Sequence, residues 1–94
     1  MIRSFRNAET EKVFRREFSR RFHPFARIAN RKLDQIHAAT QLSDLDAPPG
    51  NRLERLRGDR SGQHRIRVND QWRICFRWPR GVLGPSAVEI VDYH

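Results

Sequence analysis

Two different periods divide the chain. In the first half apolar residues recur at helical spacing. Val13, Phe14 and Phe18 form the stripe of a helix predicted from Ala8 to Arg20, with Asn7 placed to cap its first free amides. His23-Pro24 breaks the pattern, because proline suits the first turn of a helix and not its interior. A second helix follows, on which Ala29, Leu33 and Ile36 share one face while Arg27, Arg31, Asp34 and Gln35 fall outside it. Leu42 and Leu45 lead into Ala47-Pro48-Pro49-Gly50, whose rigid prolines and glycine mark a connector.

Beyond the connector the period changes to two. Arg65-Ile66-Arg67-Val68 alternates, Asn69-Asp70 supplies a turn, and Trp72 to Trp78 alternates again, which predicts a hairpin. Arg52 to Leu56 reads as a short strand before it, and Gly58 to Gly62 as the loop between. Pro79 to Pro85 connects to a last strand, Ala87 to Tyr93, and Ile2 to Phe5 reads as a first strand. Helices followed by strands imply an α+β domain over residues 1–94. Its N-terminal strand and two-helix hairpin should cover one face of a mainly antiparallel sheet of four to five strands. A chain of 94 residues leaves no room for a second such unit.

Charge sharpens this picture. Nineteen basic residues face eleven acidic ones, and only Lys12 and Lys32 are lysines. Arginine presents a planar fork that meets phosphate at two points and stacks on bases, so a small arginine-rich domain points to nucleic acid. The alternative is a solvated surface neutralised by acids, as in the charged run Glu9, Glu11, Lys12, Arg15, Arg16 and Glu17. In the hairpin, Ile66 and Val68 share a face opposite Arg65 and Arg67. Trp72, Ile74, Phe76 and Trp78 likewise lie opposite Arg73 and Arg77. If the apolar sets face the helices, the arginines share the open face. No acid alternates with them there. Arg52, Arg55, Arg57 and Arg60 from the preceding segment should extend this surface, with His64 beside it, into one that binds a polyanion in a salt-dependent way.

Asp92-Tyr93-His94 adds a carboxylate, a phenol and an imidazole where the last strand ends. Cleaving RNA through its 2′-hydroxyl needs a base, an acid for the leaving oxygen and fixed cations for the charge growing on phosphorus. A terminal histidine can equally be a solvated tail residue. His23 and His37 read as structural or exposed, and Cys75 as a buried sheet residue. One cysteine makes no internal disulfide. No histidine or cysteine spacing suits a metal, so neither metal nor cofactor is expected. Apolar runs of two or three residues are far short of the roughly 20 a membrane span needs. The first residues also lack a secretion signal, so a soluble cytoplasmic protein without membrane partners is expected.

Several segments together carry a family likeness. Met1 to Phe5, Pro48 to Glu54, Gly58 to Gly62, Ile66 to Phe76 and Val91 to His94 resemble HigB-type toxins. These are the plasmid-maintenance killer branch of the RelE/ParE superfamily of bacterial toxin–antitoxin modules. The resemblance implies a RelE-like fold and a metal-independent, ribosome-dependent mRNA endonuclease. It also implies a HigA-like helix-turn-helix antitoxin, with which the toxin forms a complex on operator DNA. By position, the family's active residues fall on Arg57, Arg73, Asp92, Tyr93 and His94. Some relatives carry histidine where this chain has Glu54, which leaves Glu54 either as a base itself or as an ion-pair partner of Arg52 or Arg55. Arg52, Arg55, Arg60, His64, Arg65, Arg67 and Arg77 would then hold the ribosomal and messenger RNA backbones. Two other readings remain: a gyrase poison like the ParE branch, and a non-catalytic RNA-binding module.

Overall fold

A computed structural model describes residues 1–92, and so excludes Tyr93 and His94. Two α-helices, α1 (Ala8–Phe14) and α2 (Ala26–Ala38), precede four strands, β1 (Glu54–Arg55), β2 (Gln63–Arg67), β3 (Trp72–Arg77) and β4 (Ser86–Asp92). The strands form one antiparallel sheet in the order β1-β2-β3-β4. This is the α+β, RelE-like arrangement expected. Ile66, Ile74 and Ile90 stand in register across β2, β3 and β4, each almost fully buried. They meet Val13, Phe22, Ala29, Leu33 and Ile36 from the helical layer. The other face of the same strands carries Arg65, Cys75 and Glu89 in one row, and Arg67, Arg73 and Val91 in the next.

Three local expectations are corrected. Residues Ile2 to Phe5 make a single parallel bridge, Phe5 to Val88, and not a strand. They dock on a bulge in β4, where Ala87 has a positive φ of 51° and donates its N–H to Ser4 Oγ at 2.9 Å. Thr10 Oγ1 accepts from Ile90 N–H at 3.0 Å farther along. Both contacts shield an edge that would otherwise offer unpaired backbone groups.

Helix α1 stops at Phe14, not Arg20. Its last carbonyls go to side chains instead: Asn30 of α2 donates to Val13 O, and Arg16 donates to Phe14 O at 2.8 Å while gripping Asp34 with two nitrogens. Arg16 itself is left-handed, with φ 61°. The third correction follows from this early stop. Phe18 is 70% exposed, and Phe22 takes the core position instead.

Asn51 pins the connector. Fully buried, it donates to Gln35 Oε1 and to Leu45 O, both at 3.1 Å, and accepts from Lys32 Nζ. Its backbone carbonyl accepts from Arg67 N–H. Burial pushes the Lys32 pKa down, with Arg31 and Arg67 adding to the effect.

Candidate nucleic-acid cleft

On the sheet face away from the helices, a cleft of about 350 Å³ lies between the β1–β2 loop and the ends of β3 and β4. Arg57, Arg60, Arg65 and Arg73 line it, with Asp59, Asp92, Cys75, Leu56 and Val91. The local sequence explains each placement. Gly58, with φ 64°, lets the chain turn tightly after Arg57 and brings Asp59 and Arg60 back over the sheet. Period 2 points Arg65 and Arg73 out of the open face from adjacent strands.

Acids from the outer strands fix two of these arginines. Arg65 donates to Glu54 through Nε at 3.0 Å and also through Nη2, and the two residues face each other in the β1–β2 register. Arg60 donates to Glu89 at 2.9 Å and to Gln63 at 3.0 Å. The Glu89 contact raises the Arg60 pKa further, so this cation is permanent. Arg73 donates to Trp72 O at 3.1 Å and to Asn69 O, within the turn that Asn69 itself organises. Such anchored guanidiniums need little reorganisation when an anion arrives. Arg57 is exposed and has no ion pair or side-chain hydrogen bond among the described residues. Asp92 accepts from Gln71 Nε2 at 3.2 Å. Burial pushes the Cys75 thiol up in pKa, which keeps it protonated and rules it out as a thiolate nucleophile.

A family model for HigB-like toxins, described as RelE-like toxins of type II toxin–antitoxin systems, matches residues 3–94. The chain belongs to that family. It is also 52% identical over 52 residues to Toxin HigB-1 of Vibrio cholerae serotype O1, a match covering 55% of each chain. The matched segment thus spans about half of that curated relative's length. An uncharacterised protein of Haemophilus influenzae is 32% identical over 68 residues, covering 72% of this chain and 67% of the other.

Of the residues that the HigB likeness and the charge pattern single out, the fold gathers Arg57, Arg60, Arg65, Arg73 and Asp92 in the cleft. Tyr93 and His94 lie outside the described residues. Glu54 is an ion-pair partner, but of Arg65 rather than of Arg52 or Arg55.

The remaining candidates stand apart from the cleft. Arg67 pairs with Asp70 at the hairpin end. Arg77 lies over Gly62, where a Cβ would come within 2.9 Å of its Nη1. Arg52 sits on the connector with φ 50°. Arg55 and His64 lie on the opposite face, because His64 has the parity of Ile66 and not of Arg65, and Arg55 stands opposite His64 in the register. Their expected place on the cleft face is therefore corrected.

The sequence pattern missed Asp59 and Glu89. Glu89 had a signal: it shares parity with Val91, opposite the buried Val88 and Ile90. No acid lies in the hairpin strands themselves, yet Glu54 of β1 reaches Arg65, Asp70 of the turn reaches Arg67, and Glu89 of β4 reaches Arg60 in the preceding loop.

Proposed function

We propose that this HigB-like chain is the toxin of a type II module and cuts mRNA on the ribosome without a metal, working in the cytoplasm as one domain. The observation that carries the reading is the gathering of Arg57, Arg60, Arg65, Arg73 and Asp92 in one cleft. Arg73 and Arg57 hold the scissile phosphate and offset the charge that grows on it. With Glu54 committed to Arg65, the 2′-hydroxyl proton passes to His94. The 2′-oxygen then bonds to phosphorus, and the departing 5′-oxygen takes a proton from water as its bond breaks. Tyr93 and Asp92 position these groups.

The inhibitor is an antitoxin from the same module, with a HigA-like helix-turn-helix domain. The toxin–antitoxin complex binds operator DNA. An arginine-rich toxin surface suits acidic segments on that partner.

Primer extension on transcripts after induction tests the reading. Discrete new 5′ ends and halted translation are expected. Arg73→Ala should lose roughly 10²–10³ in cleavage rate, the usual cost of removing one preorganised donor, while its antitoxin binding and unfolding midpoint stay near wild type. Full toxicity in Arg73→Ala overturns the role of Arg73. Intact messages with DNA-damage signalling indicate a gyrase poison, and ribosome binding without cleavage or growth arrest indicates a simple RNA binder.

A further inference from the structure

Arg57 is not the only exposed arginine near the β1 edge without a carboxylate partner among the described residues. On the cleft face Arg60, Arg65 and Arg67 are each held by a carboxylate. On the helix side of the β1 edge, Arg55 and Arg80 are exposed and have no ion pair or side-chain hydrogen bond among the described residues. Both line a groove of about 400 Å³, together with Thr40, Gln41, His64 and Trp78. We propose that this groove is a second RNA-backbone site, in which Arg55 and Arg80 hold a phosphodiester of the strand whose neighbouring nucleotides occupy the cleft. The proposal rests on the RNA-cleaving reading above.

Three observations support it. First, no carboxylate lines the groove. The lining residues therefore supply no internal counter-charge to Arg55 and Arg80. Second, His64 lies flat against Phe76, with ring centroids 6.1 Å apart. Burial, and then Arg55, push its pKa below the ordinary value. At neutral pH it thus offers the groove a hydrogen-bonding ring without a second buried charge. Third, β1 is an edge of only two residues, paired with β2 alone. Arg55 on the groove side and Arg57 on the cleft side are two positions apart, a span of at most about 7 Å. One RNA strand bent over that edge touches both.

The test measures binding of a single-stranded 2′-O-methyl RNA, which cannot be cut through its 2′-hydroxyl, by fluorescence anisotropy over a salt series. Full-length wild type is compared with the double variant Arg55→Gln/Arg80→Gln and with Arg80→Gln alone. Both side chains are exposed, so folding should be preserved, which circular dichroism checks. Losing two phosphate contacts should lower the slope of log K against log salt by about 1.4 and weaken binding on the order of tenfold at 0.1 M salt. Unchanged slope and affinity in the double variant, with wild type binding well, overturn the groove alone. No binding by wild type overturns the groove site, and the parent reading is decided separately by the primer-extension test. Unchanged RNA affinity with loss of an acidic peptide ligand overturns the proposal in favour of a protein partner.

Discussion

Glu89 shows how one side chain serves both fold and site. It is 8% exposed, opposite Cys75 in register, and bonded to Arg60 at 2.9 Å with Arg6 at 3.7 Å. Replacing it with Gln keeps the shape, adds a net positive charge to the cleft face and releases Arg60 from its fixed direction. On the proposed mechanism the two effects separate: RNA affinity holds or rises, while the single-turnover cleavage rate falls by about tenfold. Equal rates in Glu89→Gln and wild type would show that Arg60 needs no placing.

His64 provides a second residue-scale prediction, through pH. Its folded pKa lies below the unfolded value of about 6.5, so the unfolded chain binds the proton first. Stability is then level above about pH 6.5 and declines as pH falls from there through the lowered folded value. Glu9 and Asp44, whose pKa values are also lowered, lose their contributions in a more acidic window. Urea midpoints between pH 7.5 and 5 should therefore drop in wild type and stay flatter in His64→Asn. An equally flat wild-type profile would refute the assignment.

Elements were legible where one period held and illegible where a tertiary partner intervened. The hairpin, α2 and the two faces of the sheet follow from alternation and helical spacing alone, since burying Ile66, Ile74 and Phe76 forces Arg65 and Arg73 outward. The end of α1 could not be read this way. Nothing in Arg15 to Arg20 breaks a helix locally; Asn30, on another element, takes the Val13 carbonyl, and Asp34 holds the Arg16 side chain that takes the Phe14 carbonyl. The same limit applied to the cleft. Its arginines were legible from parity, but Glu54 and Glu89, which hold two of them, become neighbours only through pairing across the sheet. Parity also sent Arg55 and His64 to the far face. Within β2 the side is set by odd or even position, so His64 opposes its neighbour Arg65, and Arg55 follows His64 through their register; Arg57 lies past the end of β1, where alternation no longer applies.

The whole molecule is tied together at Asn51, which joins α2, the connector and β2 by side-chain and backbone bonds. Asn51→Ala would leave Leu45 O and the Lys32 ammonium without that partner inside the protein, and an unmet buried polar group costs about 1–3 kcal/mol. A loss of about 3 kcal/mol is expected, out of a total of roughly 5–14 for a chain of this size. Asn51→Asp, which keeps an oxygen for Lys32 but lacks the two donated bonds, should fall between. The loss should also be uneven. The connector runs straight into β1, whose two residues hydrogen-bond to β2 alone, whereas β3 is paired on both sides. In Asn51→Ala, amide exchange should therefore quicken first at Glu54 to Arg57 and last in β3. Because Arg55 and Arg57 sit on that loosened edge, RNA affinity should fall before the core melts. Uniform acceleration across the sheet, or a stability change under 1 kcal/mol, would show that the connector is held by its prolines and not by Asn51.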